Sequence, residues 1–271
     1  MRKKTVYIGS MYIIAEYLFH HNYFELEGII CEADRMNDNL LTFSLVRDVK
    51  IYKVNKENRI ENIIKRYDRD TVFVMCSFGM RVPMEELNGY RVFNIHYAEL
   101  PYYKGRHPSF WATVNNEIKL GISLHIVTKE FDRGDVVAQR MVPYYLMEDE
   151  EIIFDKLTAE VPRLLDALSN HLETGEIFLT NSDGMYFPPV KMEDIVLDLE
   201  NDNPARLYNK VRSQKRADGA IVEICEKRFR IYSMVFSEKR MEDPYSIENN
   251  MLFLRYNQDV CLCCGKYREE E

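Results

Sequence analysis

Phe93-Asn94-Ile95-His96 closes an apolar run, and Leu100-Pro101-Tyr102-Tyr103-Lys104-Gly105 then turns the chain sharply with a proline and a glycine. Asn94 and His96 are two residues apart, so on a β-strand their side chains lie on the same face. A carboxylate follows downstream in Phe131-Asp132-Arg133-Gly134-Asp135, in a glycine-containing loop after a second apolar run. An amide donor, a titratable base and a carboxylate are the groups needed for acyl transfer to an amine without a covalent intermediate.

Before this stretch, short apolar segments that suit strands alternate with segments of helical spacing. The continuously apolar run 71–76 is typical of a central strand covered on both faces. The alternation predicts an α/β fold with a doubly wound, mostly parallel sheet, in which ligands bind at the carboxyl ends of the strands. The predicted strands are 5–8, 26–31, 49–54, 71–76 and 91–96, and the predicted helices are 13–20, 57–67 and the short segment 84–87.

After this stretch, a helix is predicted from residue 109, followed by strands 122–127 and 136–142 and a long helix over 150–172 that contains Pro162. Asp183-Gly184 and Pro188-Pro189 interrupt the pattern, so we expect a catalytic domain over 1–183 and a second domain over 184–271. The second domain is predicted to be small and OB-like, with a helix and an antiparallel β unit. Its predicted elements are the helix 204–213 and the strands 220–225, 229–236, 251–256 and 260–263.

Composition argues against several classes of protein. The net charge of −8 disfavours a protein whose main task is binding nucleic acid. The first turn, Gly9-Ser10-Met11-Tyr12, lacks G-x-G-x-x-G, which weakens an oxidoreductase interpretation. No apolar run has the length of a membrane span and no signal peptide is evident, so we expect a cytoplasmic protein without a membrane partner. Cys261, Cys263 and Cys264 lack a second ligand cluster and are interpreted as buried or idle thiols, with no metal site.

These motifs, in this order, resemble the formyltetrahydrofolate-dependent formyltransferase family, and most closely its nucleotide-sugar N-formyltransferases. The family pattern is Asn-x-His at a strand end, a loop like S-L-L-P-x-Y-R-G, and a downstream L-D-x-G-D/P. The resemblance runs from Val6 to about Pro143 and resumes at Gly184-Met185-Tyr186-Phe187 through Arg212. It implies a formyltransferase-like variant of the Rossmann fold.

The resemblance also implies a mechanism, with 10-formyltetrahydrofolate as the formyl donor and a primary amine as the acceptor. Asn94 would donate a hydrogen bond to the tetrahedral oxyanion, and His96 would stabilise that oxygen or relay protons. Asp132 would orient His96, tune its charge and help a water to carry the amine proton to the departing folate nitrogen.

Further contacts follow from the same resemblance. Ser77-Phe78-Gly79-Met80-Arg81-Val82-Pro83 resembles the pterin-binding segment of the family, A-Y-G-x-I-L-P. The expected donor-binding residues are Phe78, Met80, Arg81, Val82 and Asp135. The expected acceptor-binding residues are Tyr97, Tyr103, Lys104, Gly105 and Arg106. The chain departs from the family at Ala98, Glu99 and Lys104, where Ser, Leu and Arg are usual, and these changes leave the identity of the acceptor open.

Each motif also has a purely structural interpretation. In an isolated Asn-x-His, Asn94 would cap a turn and His96 would be a hydrogen-bonded core residue. The proline-glycine loop and the later aspartate make the functional interpretation the better one here. His125, on an apolar strand, is predicted to be a satisfied core residue, and Trp111, at helical spacing, is predicted to pack in the core.

Four functions fit the sequence. The leading hypothesis is N-formylation of a nucleotide-linked amino sugar by a homodimer in a polysaccharide pathway, because the segment after Gly184, the acidic charge and the loop Lys104-Gly105-Arg106-His107-Pro108 resemble the sugar branch. A methionyl-tRNA formyltransferase would share the chemistry but needs a basic surface for tRNA. A formyltetrahydrofolate hydrolase would release formate to water, and a binding or regulatory protein would keep the fold without turnover.

Overall fold

A computed structural model describes residues 2–181 and 183–270 of the chain. The strands are, in chain order, β1 Lys3–Gly9, β2 Phe24–Glu32, β3 Lys50–Val54, β4 Val72–Cys76, β5 Arg91–His96, β6 Lys104–Gly105, β7 Lys119–Ile126, β8 Val136–Pro143, β9 Tyr186–Phe187, β10 Ala220–Ile224, β11 Lys227–Ser237, β12 Tyr245–Glu248, β13 Met251–Arg255 and β14 Cys261–Glu270. The helices are α1 Tyr12–His20, α2 Asp38–Arg47, α3 Ile60–Ile64, α4 Pro108–Val114, α5 Glu150–Thr158, α6 Val161–Thr174 and α7 Pro204–Arg212. In the part of the chain that the structure describes, no helix is both long and apolar enough to traverse a bilayer.

A seven-stranded sheet carries the motifs singled out above, in the order β3-β2-β1-β4-β5-β7-β8. The pairs β1–β2, β1–β4, β2–β3 and β4–β5 are parallel, which confirms the predicted doubly wound sheet. β7 runs antiparallel to β5, and its register sets His125 opposite Asn94 and Ser123 opposite His96. The carboxyl half of β5 therefore pairs with the carboxyl half of β7, and the two strands bring polar residues to the same place.

The first βα turn is closed by a side chain. The hydroxyl of Tyr7, which is completely buried, donates to the Cys76 carbonyl at 3.2 Å and accepts from the Met11 amide at 3.1 Å. A Cβ at Gly9 would lie 1.9 Å from the Cys76 carbonyl oxygen and 2.5 Å from the Tyr7 hydroxyl, so no larger residue fits there. β1 and β4 can approach closely at this turn because residue 9 is glycine.

Two predicted helices differ from the observed ones, and one observed helix was not predicted. The predicted long helix over 150–172 is wrong: α5 ends at Thr158 and α6 begins at Val161, with Pro162 in its first turn. Proline lacks an N–H and its ring clashes with the carbonyl four residues earlier, so it starts a helix more readily than it continues one. The helix predicted over 57–67 is only one turn and a half, Ile60–Ile64. α2, which was not predicted, begins at a cap in which Asn37 accepts from the Leu40 amide.

The chain divides into two compact units. The first contains the described residues of Met1–Lys104, Gly121–Met141 and Leu157–Tyr186, and the second those of Gly105–Leu120, Val142–Lys156 and Phe187–Glu271. These units are discontinuous in sequence, whereas the expected domains, 1–183 and 184–271, are continuous, so a boundary near residue 184 stays a prediction.

The second unit is built on a five-stranded antiparallel sheet in the order β10-β11-β14-β13-β12, with α7 packed against β11. This architecture confirms the predicted helix with an antiparallel β unit. α4 belongs to the same unit because Phe110 and Val114 pack with Ile195 and Ile221 in one buried cluster. Trp111, predicted to lie in the core, is half-buried at the rim of this cluster, where it stacks on Phe187 at 5.5 Å.

Candidate active site

Asn94 and His96 lie among the last three positions of β5, at the end of the predicted strand, and both are partly buried. The Nε2 atom of His96 lies 3.0 Å from the carbonyl oxygen of Tyr103. A carbonyl can only accept, so the imidazole donates through Nε2. In the neutral form of His96 this contact leaves Nδ1 as the nitrogen that can accept a proton. The backbone of the loop after β5 thereby selects the tautomer of the histidine.

His125 joins the site from β7, directly opposite Asn94. Its Nδ1 lies 3.0 Å from the carbonyl of Ile126 and therefore donates, while its Nε2 lies 3.1 Å from Nδ2 of Asn94. Neutral His125 accepts at Nε2, so the Asn94 amide donates one of its two N–H groups to the ring. The interpretation of His125 as a buried, hydrogen-bonded residue agrees with its exposure of 2%, but it missed that the ring contacts Asn94. Only the register of an antiparallel pair could have signalled this contact.

Asp132 lies between the two imidazoles. Its Oδ1 is 3.5 Å from Nε2 of His125, and its Oδ2 is 3.9 Å from Nε2 of His96. The rings of His96 and His125 are perpendicular, with their centroids 6.2 Å apart. The side chains of His96 and Asp132 are each only 11% exposed, so the carboxylate acts on both rings through a medium of low dielectric. The structure thus brings together Asn94, His96 and Asp132, with His125 as a fourth member.

The loop that carries Asp132 is held in an unusual conformation. Asp132 has a φ of 52°, in the left-handed region that residues other than glycine rarely adopt. Two residues later, a Cβ on Gly134 would lie 1.7 Å from the carbonyl oxygen of Ile126, at the end of β7. Gly134 therefore lets the loop lie directly against the strand that carries His125.

A hydrogen-bond network holds the loop after β5. The Ser123 hydroxyl donates to the Ala98 carbonyl at 2.6 Å and accepts from the Leu100 amide at 3.2 Å. The Gln139 amide donates to the Leu100 carbonyl at 2.8 Å and to the Ser123 hydroxyl at 2.9 Å. These bonds fix the backbone whose Tyr103 carbonyl orients His96. At Ala98, where the family usually has serine, the network uses only the backbone carbonyl.

The expected acceptor-binding residues are distributed over both units. In the first unit Tyr97 hydrogen-bonds through its hydroxyl to Thr158 at 2.9 Å, and Tyr103 is buried. Lys104 is buried as well, and burial lowers the pKa of its ammonium, as does Arg133, while Asp183 and Asp132 oppose that change. Gly105 and Arg106 fall in the second unit.

The expected donor-binding segment follows β4. The amide of Gly79 donates to Oε2 of Glu32 at 2.9 Å, and Glu32 is itself buried at the end of β2. Val82 is buried in the core of the first unit, and Phe78 and Met80 pack against that core. Because the Val82 side chain is buried, the backbone of this segment is the part that is accessible to a ligand.

Arg81 lies at the surface of the same segment. Its guanidinium makes two bonds to the carboxylate of Glu85, at 2.7 and 2.9 Å, and one to the Lys129 carbonyl at 3.4 Å. A cleft of about 290 Å³ opens beside it. The cleft is lined by Asn55, Lys56, Arg59, Ile60, Glu61, Met80, Arg81 and Pro83.

Asp135, also expected to bind the donor, is half-buried, and its Oδ1 accepts from the backbone amide of Asn181 at 3.2 Å. Among the described residues, no three His, Cys, Asp or Glu side chains are grouped so that they could hold a metal ion. The side chains that the structure brings together around β5 are an amide, two imidazoles and a carboxylate.

The family model described as "Formyl transferase" matches residues 33–167, about half of the chain, and this range includes all four of these side chains. The chain belongs to the formyl transferase family. Among the curated relatives is a methionyl-tRNA formyltransferase of Malacoplasma penetrans, 24% identical over 92% of this chain and 82% of the relative.

Solved structures share the fold over nearly the whole chain. An N-formyltransferase from Helicobacter canadensis, solved with folinic acid and dTDP-3-aminofucose, matches with a TM-score of 0.68 and 16% identity over 97% of this chain and 99% of that one. HypX from Aquifex aeolicus in complex with tetrahydrofolic acid matches with a TM-score of 0.70 and 17% identity over 98% of this chain but only 44% of that one. The formyltransferase fold predicted from the motifs is thereby confirmed.

Proposed function

We propose that the protein transfers a formyl group from 10-formyltetrahydrofolate to the primary amine of a nucleotide-linked amino sugar. The observation that supports formyl transfer is the cluster of Asn94, His96, His125 and Asp132 in a chain of this family. The contacts Asn94–His125, His125–Asp132 and His96–Asp132 are all 3.9 Å or shorter. Formyl transfer needs a donor for a developing oxyanion and a base for the amine proton, and the cluster contains both.

The proposed mechanism is a direct attack. The amine nitrogen bonds to the formyl carbon, the carbonyl electrons move to its oxygen, and the C–N10 bond then breaks as the oxyanion collapses. Asn94 uses one N–H of its amide on His125 Nε2, so the second N–H can donate to the oxyanion. His96, donating through Nε2 to the Tyr103 carbonyl, presents Nδ1 to take the proton of the attacking amine, and that proton passes to the departing N10. Asp132 stabilises positive charge on either ring.

The donor is proposed to bind along residues 77–83. Glu32 holds the Gly79 amide, and Phe78 and Met80 rest against the core, so the segment is a fixed edge on which a flat pterin can be read by backbone groups. Met80 and Arg81 also border the cleft beside this segment, which supports their assignment to the donor site. Asp135 is proposed as a further contact of the pterin.

Two observations bear on the acceptor. The Helicobacter canadensis enzyme, solved with an amino-sugar nucleotide, has almost the same length as this chain, and the net charge of −8 disfavours a polyanionic acceptor. The second candidate is methionyl-tRNA formylation, which is favoured by the name of the Malacoplasma penetrans relative. Tyr97, Tyr103, Lys104, Gly105 and Arg106 are proposed to contact the sugar nucleotide, and a homodimer is proposed in analogy to sugar enzymes.

The acceptor is identified by incubating the protein with 10-formyltetrahydrofolate and separate panels of amino-sugar nucleotides and charged initiator tRNA, while tetrahydrofolate release is followed. Release that depends on an amino-sugar nucleotide supports the proposal, and release only with tRNA supports the second candidate. Release without any acceptor indicates a hydrolase, and no release in any panel contradicts the proposed activity. Light scattering of the same sample tests the homodimer.

The role of His96 is tested by His96→Asn, which should lower turnover by about 10²–10³-fold and leave folding and folate binding nearly intact. His20→Asn is the matched control, because His20 lies at the exposed end of α1, where its ring contacts Glu16, Arg47 and Phe19 and none of the site residues. Turnover of His96→Asn within a few-fold of the parent would mean that His96 takes no part in the transfer.

A further inference from the structure

We propose that Asn181, which lies outside every motif of the sequence, is a positioning residue that holds the Asp132 loop in its reactive conformation. Its Nδ2 donates to the carbonyl of Asp132 at 2.8 Å and to the carbonyl of Gly134 at 2.9 Å. Its backbone amide donates to Oδ1 of Asp135 at 3.2 Å. One residue thus binds three members of the four-residue segment that carries the carboxylate.

The orientation of the Asn181 amide is decided by these partners. Both contacts of the nitrogen are carbonyl oxygens, which can only accept, so Nδ2 must face the loop. Oδ1 is buried and has no hydrogen-bond partner in 2–181 and 183–270. A buried acceptor without a partner is unfavourable, so the pairing of the two loop carbonyls dominates the placement of this side chain.

The segment before Asn181 lies against the same loop. Val136 exchanges hydrogen bonds with Leu179, and its carbonyl also accepts from the Phe178 amide at 2.8 Å. Residues 178–181 therefore run along residues 132–136 as a short clamp that ends at Asn181. Backbone hydrogen bonds hold Val136 at the start of β8, and the side chain of Asn181 holds the carbonyls of Asp132 and Gly134 in the loop before it.

This clamp explains how Asp132 keeps a left-handed φ of 52°. Such a conformation is unfavourable for aspartate and persists only where the surroundings impose it. Without the two bonds from Nδ2, the peptide planes around Asp132 and Gly134 can rotate, and the carboxylate then leaves its place between His96 and His125. A displacement of about 1 Å of a reacting group can cost on the order of 10²-fold in rate.

The inference rests on the proposed role of Asp132, and its test separates the two. Asn181→Ala and Asn181→Asp are compared with Asn170→Ala and Asn170→Asp, since the exposed Asn170 side chain, on α6, donates to the exposed Glu176. We expect kcat to fall about 10- to 100-fold in Asn181→Ala, with the KM for both substrates within threefold of the parent. Asn181→Asp should lose more, because a carboxylate oxygen then faces two carbonyl oxygens, and both Asn170 variants should keep the parental kcat.

Asn181→Gln, which keeps the amide on a longer chain, is the second variant if Asn181→Ala and Asn181→Asp fail to fold, and its kcat should fall by more than threefold but less than that of Asn181→Ala. A kcat within threefold of the parent in folded Asn181→Ala or Asn181→Gln overturns the inference, as does a change confined to the melting temperature. Asp132→Asn tests the underlying mechanism. If it retains full turnover, the proposed role of Asp132 fails, whereas an inactive Asp132→Asn beside a fully active Asn181→Ala refutes only the positioning role.

Discussion

Replacing Gly134 by alanine tests whether the position of the Asp132 loop limits turnover. The added Cβ would lie 1.7 Å from the Ile126 carbonyl oxygen and 2.7 Å from its carbon, and both are backbone atoms of β7 that cannot rotate away. Real Cβ atoms essentially never approach another heavy atom within 3.0 Å, so the loop must retreat by about 1.3 Å. Since Asp132 is only two residues away, its carboxylate moves with the loop.

The expected loss follows from that displacement. A misplacement of about 1 Å can cost on the order of 10²-fold in rate, or about 2.7 kcal/mol in the activation free energy. We therefore expect kcat of Gly134→Ala to fall about 100-fold when tetrahydrofolate release is measured at saturating donor and acceptor. Residues 77–83 are not displaced, and only the proposed Asp135 contact moves with the loop. The dissociation constant of tetrahydrofolate, measured by calorimetry, should therefore rise by no more than about fivefold, the loss of one hydrogen bond.

Gly175→Ala is the matched control in the same unit. Gly175 follows α6 with a φ of 77°, and no atom of residues 2–181 or 183–270 lies within 4 Å of an added Cβ. Alanine there costs about 1 kcal/mol of stability through its left-handed backbone, without moving the site. The reasoning is refuted if Gly134→Ala keeps kcat within threefold of the parent, or if Gly175→Ala loses as much turnover as Gly134→Ala.

Three further outcomes can be measured independently. His125→Phe should lower kcat about 10- to 100-fold in the release assay, because the amide opposite it loses the acceptor that orients it; an unchanged kcat would make the ring a packing residue only. In a native thiol titration the exposed Cys225 should react first, while burial raises the pKa of Cys31 to about 11 and of Cys76 to about 12, so both should react only on unfolding. Glu226→Gly should stabilise the protein by about 0.5–1 kcal/mol in urea unfolding, since residue 226 has a φ of 62° in a two-residue hairpin turn; a loss of stability would contradict that reason.

The sheet was predictable because its strands carry strong local signals. The run 71–76 is so continuously apolar that only a buried central strand explains it, and β4 spans Val72–Cys76. β5 was predicted with its observed limits. The break between α5 and α6 was not predicted, because the apolar spacing at Ile153, Leu157 and Leu164 continues in phase across it. We gave that spacing more weight than Pro162.

The residues of the site differ in how readily they could be predicted from the sequence. Asn94 and His96 are neighbours on one strand, and Asp132 stands in a loop with a recognisable glycine, so local patterns point to all three. His125 reaches the amide only through the register of β7 on β5, and Asn181 reaches the loop from beyond α6. Strand register and long-range return of the chain are properties of the folded backbone, and no spacing in the sequence encodes them.

The distances also divide the work between the two imidazoles. The Asp132 carboxylate is nearer to His125 than to His96, and His96 is oriented by the Tyr103 carbonyl rather than by that carboxylate. A ring that donates to a neutral carbonyl through one nitrogen can accept and release a proton at its other nitrogen, whereas a ring hydrogen-bonded at both nitrogens is suited to orienting the amide of Asn94. We therefore propose that His96 carries the proton transfer and that His125 orients the Asn94 amide. In the same proposal Asp132, placed between the two rings by the clamp at Asn181, supplies the negative charge that both rings need when the amine nitrogen becomes positive.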